Sequence, residues 1–544
     1  MERRISRIPR LFTTGLFLLL SPSIFAQSSG GSNTLLYALI VVGAILLLGV
    51  ILQVADNLLR IEAKRHNMDT DRIGLFPSLG RIFSKPLPEH LRDKDVYDLK
   101  KGFDIKLEGA ARPEIVPAQV TRFALQPPNW IGMAPIPKVV VEPGDTVRAG
   151  DPIFYDKTRS EIQYVAPVSG EVIEVNRGAK RSIAEVVILA DRQMQYKEFE
   201  APELGTASRA QIVQFLLTSG GWTMLRQRPY DIVPPVDSHP VNVFISTFDT
   251  APLAPDLNLV VEGRDEAFQK GLDVLTRLTT GKVHLGLDAR DGKQPSDIFA
   301  NARNVEKHWF RGPHPCGNVG IQIHHVAPVS AGKPVWVLGV QEVITLGALW
   351  TERRFNAERI VALTGAPLDN PVYVRTHIGA NLGDLLKDQG DLKGNRVVSG
   401  NVLAGEKKPH DGFLNYYDQH VSVIKEGDKY ELFGWLFPVE PRPSVSRTFP
   451  SFLMPDLTFE GNTNTHGERR AFVITGQYES MLPMDIYPQH LMKAIMTRNF
   501  ERMEGLGIYE LSEEDVALCE FACTSKVPVQ AILRDGLEVM REQG

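Results

Sequence analysis

Three patterns predict an α/β multidomain chain with an N-terminal membrane helix. Thr34–Ala55 is a run of 22 residues without a charge, and as a helix it spans roughly 33 Å, enough for a bilayer core. Val141–Ile183 sets β-branched residues between tight glycine turns, the pattern of a small biotinyl/lipoyl-like β barrel-sandwich module. From Ser208 onward, apolar strands alternate with amphipathic helices, which implies an α/β layered, Rossmann-like domain with a mostly parallel sheet. A β-grasp-like module and a C-terminal helical region complete the fold class. A chain of 544 residues is too long for one core, so several domains are expected.

Residues 1–33 read as a signal-peptide-like segment and spacer. Arg3, Arg4, Arg7 and Arg10 precede the apolar run Leu11–Phe25, which closes on the small residue Ala26. The segment is either removed after Ala26 or kept as half of a hairpin. Residues 34–59 hold the transmembrane helix. Arg60, Lys64 and Arg65 follow it and, with the leading arginines, put the main body on the cytoplasmic side of the inner membrane. Residues 60–95, polar and interrupted by Pro77, Pro86 and Pro88, read as a linker.

Residues 96–200 form the β module. Residues 201–357 form the α/β domain, with helix Ser208–Ser219 stopped by Gly220, strand Val241–Thr247, helix Arg264–Thr279, strand Lys282–Leu287, strand Val335–Val340 and helix Gln341–Thr351. Residues 358–460 form the β-grasp-like module, from strands Ile360–Thr364 and Val372–Ile378, a short helix capped by Asn381, and strand Arg396–Leu403. Residues 461–544 read as helical and rich in methionine: Met481, Met484, Met492, Met496, Met503 and Met540.

Composition narrows the function. A hydrophobic content of 43%, a charged content of 23% and a net charge of −5 argue against nucleic acid as a partner, since there is no basic run with interleaved aromatics. Three cysteines, Cys316, Cys519 and Cys523, do not make a disulfide scaffold and fit a reducing compartment. Cys519 and Cys523 would share a helix face but lack the further ligands a cluster needs, and read as buried thiols. His308, His314, Cys316, His324 and His325 fit no zinc spacing, so no metal site is expected. The glycine-rich loop Gly312–Gly320 matches neither GxGxxG nor a P-loop, and Pro313 and Pro315 remove donors from it. It reads as a structural or interface loop. His314 within it reads first as a surface histidine, with a hydrogen bond to a ligand carbonyl as the alternative. Arg226 and Arg228 pair two guanidiniums in a loop suited to carboxylates or phosphates, with a solvated or interface role as the default. Lys157, after Tyr155-Asp156, is placed as a lipoyl-type carrier lysine would be, but the intervening polar residues favour an ordinary exposed hairpin lysine. No catalytic triad, Walker motif or carboxylate pair stands out.

Seven segments stand in one order from residue 101 to residue 523: Lys101-Gly-Phe-Asp-Ile-Lys-Leu-Glu-Gly109, Ala166-Pro-Val-Ser-Gly-Glu-Val-Ile-Glu-Val-Asn-Arg-Gly-Ala-Lys-Arg181, Gly221-Trp-Thr-Met-Leu-Arg-Gln-Arg-Pro229, Gly312-Pro-His-Pro315, Val374-Arg-Thr-His-Ile-Gly-Ala380, Glu431-Leu-Phe-Gly-Trp435 and Leu518-Cys-Glu-Phe-Ala-Cys523. Together they resemble the A subunit of the sodium-translocating NADH:quinone reductase family. The resemblance implies a peripheral component of a six-subunit respiratory pump that oxidises NADH, reduces ubiquinone or menaquinone, and exports Na⁺. It implies that the flavins and the iron–sulfur centre sit in other subunits, so that this chain binds no cofactor of its own and does not catalyse alone. The family resembles the FMN-binding subunit of complex I without its cluster cysteines. It is associated with quinone near the interface of the A and B subunits, which makes the B subunit the nearest partner and His314, Arg226 and Arg228 the quinone-binding candidates. The N-terminal membrane helix departs from the family pattern, and its expected role is a tether beside the integral-membrane subunits. Two alternatives stay open: an assembly module with no quinone contact, and a membrane-tethered carrier of a lysine-linked prosthetic group.

Overall fold

The structure is a computed structural model that describes residues 34–65, 88, 91–290, 292–427, 429–431, 433–434, 441–446, 454 and 456–543. The chain divides into two units, 1–88 and 89–544. In the first, helix α1 (Thr34–Arg65) contains the stretch Leu39–Asp56, with a mean hydropathy of 2.5 and nothing buried. Among the described residues it is one helix long and apolar enough to cross a membrane. It passes the expected end at residue 59 because Leu58–Arg65 holds neither Gly nor Pro and is made of helix formers. Linker residues 60–65 are therefore helical. The signal-like segment 1–33 and linker residues 66–87 lie outside the described residues.

The second unit opens with β1 (Val96–Asp98) and β2 (Arg112–Pro117). Seven short strands follow: β3 (Arg122–Leu125), β4 (Lys138–Val139), β5 (Thr146–Val147), β6 (Pro152–Asp156), β7 (Arg159–Val165), β8 (Gly170–Arg177) and β9 (Ile183–Ala190). They make two sheets, of order β3-β9-β8-β5 and β4-β6-β7. Within the apolar pattern of residues 141–183, Val147, Ile153, Ile162, Val165 and Val172 are buried.

The α/β layer comprises α2 (Arg209–Ser219), β10 (Arg226–Arg228), β11 (Asn242–Ser246), α3 (Leu257–Val261), α4 (Asp265–Leu278), β12 (Val283–Asp288), α5 (Asp297–Ala300), β13 (Glu306–Arg311), α6 (Val319–Val326), β14 (Val335–Leu338) and α7 (Val340–Thr351). Its sheet has the order β1-β13-β12-β11-β14-β10, parallel except for β10. Ser208 and Gln211 form a capping box at the start of α2, and Gly220 ends it at a φ of 80°. Every residue of β12 is buried, as expected of a central parallel strand. Helices α4 and α7 meet backbone to backbone through Gly271 and Gly347. A Cβ on Gly271 would fall 2.1 Å from the Val343 carbonyl oxygen, and one on Gly347 would fall 1.7 Å from that of Ala267.

The third sheet is built from β15 (Glu358–Thr364), β16 (Val372–His377), β17 (Asn395–Ser399), β18 (Glu406–Lys408) and β19 (His420–Lys425), with helix α8 (Leu382–Leu386) between β16 and β17. Its order is β18-β17-β19-β15-β16-β2, with β15 and β19 parallel at the centre. The Asn381 side chain accepts from the Asp384 N–H, capping α8 as expected. The strand expected to reach Leu403 stops at Ser399, because Gly400 turns to a φ of 91°. Two segments expected in the β module pair elsewhere. β1 lies parallel to β13, and β2 lies parallel to β16. Pro113 and Pro117 in β2 are tolerated because it is an edge strand.

Helices α9 (Tyr478–Met481), α10 (Pro488–Met496), α11 (Phe500–Gly505), α12 (Glu513–Ala522) and α13 (Val529–Gln543) close the chain. Residues 461–477 are not helical, so this region is shorter than its composition predicts. Met481, Met484, Met492, Met503 and Met540 pack in its core, and Met496 is exposed.

Candidate functional site

Parallel sheets offer ligands a crevice beyond the carboxyl ends of their strands. Here that crevice holds a cavity of about 130 Å³, lined by Ser246 at the end of β11, Leu338 and Gly339 at the end of β14, and Asn318 and Val319 at the start of α6. Arg226 from β10 and His314 from the glycine-rich loop also line it. The third sheet closes it with Asn401 and Gln419, and α12 closes it with Glu514 and Ala517.

His314 is buried. Its Nδ1 lies 3.0 Å from Thr250 Oγ1, and its backbone N–H donates to Asp104 Oδ1 at 2.8 Å. The Thr250 oxygen also accepts from the Gly317 N–H at 3.1 Å. With the hydroxyl proton turned to Nδ1, the neutral ring carries its own proton on Nε2, which has no partner in the structure. Burial, with Arg290 adding to it, pushes the imidazole down to about 4. His314 is thus a neutral ring with an uncommitted polar nitrogen beside a polar cavity.

Arg226 Nη1 reaches Asp231 Oδ2 at 3.3 Å, and its guanidinium sits 5.1 Å from the centroid of the Tyr417 ring. Arg228 does not line the cavity. It is 2% exposed and surrounded by carboxylates: Glu514 Oε1 at 2.8 Å, Asp231 Oδ1 at 3.4 Å and Asp515 Oδ2 at 3.8 Å. Its charge holds the first turn of α12 in place. Burial pushes the Asp515 carboxyl up to about 7, with Arg228 opposing the shift. That carboxylate accepts from the Ser512 N–H at 3.0 Å and lies against the first turn of α6, where a Cβ on Gly320 would fall 2.3 Å from Oδ2.

The remaining sequence candidates fall elsewhere. The Cys316 thiol is buried and pushed up to about 12, chiefly by burial. His324 binds Glu510 Oε2 at 2.7 Å, and His325 binds the Pro483 carbonyl at 2.8 Å, so both fasten α6 to the helical region. Cys519 and Cys523 are free and buried, and the Tyr478 hydroxyl donates to Cys523 Sγ at 2.9 Å. Lys157 is exposed at the turn joining β6 to β7. Glu514, Gln419 and Asp249, which complete the cavity, carry no local sequence signal.

Buried histidines predict an acid limit to stability. His314 sits at about 4, and burial lowers His420, which lies 2.7 Å from Thr364 Oγ1, to about 3, against an ordinary value of 6.5. Folded values below the unfolded one give stability that is present above pH 6.5 and lost as pH falls through the folded values. For His314 the loss by pH 4 is about 3 kcal/mol. The fall in thermal midpoint of the full chain in detergent between pH 6.5 and 4 is expected to be smaller in His420→Asn than in the wild type, a comparison that cancels the opposite titration of buried carboxyls such as Asp515; equal falls contradict the assignment.

Comparison with known proteins gives one consistent answer. Residues 97–191 match the NqrA N-terminal barrel-sandwich hybrid domain, 207–355 the NqrA second alpha/beta domain, and 360–408 the NQRA C-terminal domain. The A subunit of the Na(+)-translocating NADH-quinone reductase of Yersinia pestis bv. Antiqua (strain Angola) is 39% identical over 451 residues, covering 82% of this chain and 99% of that relative. The proteins of the same name from Vibrio atlanticus and Neisseria meningitidis serogroup B are 38% and 37% identical, each with the same coverage. The chain belongs to the NqrA family, the A subunits of the Na⁺-translocating NADH-quinone reductases.

Proposed function

We propose that this chain serves as the cytoplasmic-side A subunit of a Na⁺-translocating NADH:quinone reductase, contributes to the quinone site from the cavity lined by Arg226 and His314, and carries no flavin. The observation that carries the reading is the convergence of these two residues, 88 positions apart by number (314 − 226), on one cavity at the carboxyl ends of a parallel sheet. His314 Nε2–H would donate to a quinone carbonyl. The Arg226 guanidinium would stabilise negative charge as it develops on that oxygen during reduction. A volume of about 130 Å³ resembles cavities that take one benzene-sized ring. It falls short of the roughly 300 Å³ at which cofactor pockets begin, which supports a quinone ring edge rather than an isoalloxazine. Helix α1, with Arg60, Lys64 and Arg65 at its end, supports a tether whose following residues face the cytoplasm, beside the integral subunits and the B subunit.

The test is His314→Ala in the intact complex. Loss of one hydrogen bond is worth about 1.4 kcal/mol, or roughly tenfold. The expected outcome is a quinone KM raised about that much, with flavin-linked NADH oxidation by ferricyanide retained. An unchanged quinone KM in an intact complex would mean that this chain does not touch quinone, and the assembly-module reading would replace it.

A further inference from the structure

Among the described residues, one group of three metal-ligating side chains brings its ligand atoms within 4.8 Å of one another: His284, Glu306 and His308. It lies toward the amino ends of β12 and β13, at the opposite end of the sheet from the crevice above. The parallel register sets His284 beside Glu306 and Gly286 beside His308, so one face of two adjacent strands presents all three. His284 Nδ1 lies 2.9 Å from His308 Nε2 and 3.7 Å from Glu306 Oε2. A tetrahedral ion with bonds of about 2.0–2.1 Å holds its ligand atoms about 3.3 Å apart, and these separations bracket that value. The other carboxylate oxygen, Oε1, faces Lys282 Nζ, which orients the group while leaving Oε2 toward the imidazoles. The His284 ring is held by stacking on Phe244, with centroids 4.4 Å apart and planes at 16°. Two imidazoles and one carboxylate suit borderline divalent transition ions rather than Mg²⁺ or Ca²⁺.

We propose that His284, Glu306 and His308 form a binding site for a divalent transition metal ion such as Zn²⁺, clipping β12 to β13. Glu306 and His308 also line an open cavity of about 740 Å³, so the fourth position of a bound ion would face solvent. The site is independent of the quinone chemistry and takes no part in it.

The test uses the untagged full chain in detergent, stripped with a chelator and titrated with Zn²⁺ against a chromophoric competitor. One equivalent is expected to bind, and to raise the thermal midpoint. His308→Ala and the isosteric Glu306→Gln, both at half-buried positions, are expected to weaken that equivalent at least about tenfold and to abolish the rise in midpoint. Co²⁺ in place of Zn²⁺ is expected to give the visible absorption of a four-coordinate nitrogen and oxygen site. The proposal is overturned if the wild-type chain takes up no Zn²⁺ in competition, or if folded Glu306→Gln binds it as tightly as the wild type does.

Discussion

Gly347→Ala is expected to lower the thermal midpoint of the full chain by about 10 °C, the equivalent of about 4 kcal/mol. The new Cβ would stand 1.7 Å from the Ala267 carbonyl oxygen. Relief requires α4 and α7 to part, because the obstructing atom is backbone and cannot rotate away. Ten of the twelve residues of α7 are buried, so parting would open the centre of the layer. The polar residues among those ten depend on fixed partners. Gln341 Nε2 donates to the Ile360 carbonyl at 2.8 Å, and Arg359 Nη2 donates to Glu342 Oε1 at 2.5 Å. A shift of α7 strains both contacts, and a buried pair that loses its geometry becomes a cost. Gly205→Ala is the control, since nothing lies within 4 Å of its Cβ position. Equal midpoints for the two variants would contradict the close helix crossing.

The second large effect is expected at Arg228→Met, which leaves Asp231, Glu514 and Asp515 without their shared cation. Removing one partner from a buried charge group costs about 3–5 kcal/mol. Arg226→Met removes a more exposed group with one carboxylate partner and is expected to cost about 1–2 kcal/mol. The Arg228 deficit also carries a pH signature. Asp515 already titrates near 7 in the folded chain against an ordinary 3.8, and Arg228 is what opposes its burial. A raised folded value means stability that is full below the unfolded value and is lost as pH rises through the folded one. Without Arg228 that loss deepens, so the gap in midpoint between variant and wild type is expected to be wider at pH 8 than at pH 6. Comparing the gap cancels the histidine titrations common to both chains. A gap independent of pH would show that Asp515 is not the group left uncompensated.

The legible parts of the fold were those with strong local chemistry. Ser208 and Gly220 bracket α2 in the sequence as they do in space. The apolar runs of β11, β12 and β14 needed no tertiary information. β13, Glu-Lys-His-Trp-Phe-Arg, escaped because charged side chains hide its period. β10, Arg-Gln-Arg, and β1, Val-Tyr-Asp, are too short and polar to show one, and depend on their neighbours for strand conformation. The site divides in the same way. His314 and Arg226 were visible as residue types that bind quinone or anions, while Gln419 and Glu514 reach the cavity only through the packing of later segments. His308 was one histidine among several until the register of β12 and β13 set it against His284 and Glu306.

A place in a Na⁺-pumping quinone reductase can be checked by purifying the C-terminally tagged full chain from detergent-solubilised membranes. The eluate is then assayed for NADH:quinone reduction with and without Na⁺. Na⁺-stimulated activity is expected to elute with flavin-bearing partner subunits. A single inactive chain in the eluate, with the activity left intact in the unbound fraction, would contradict it.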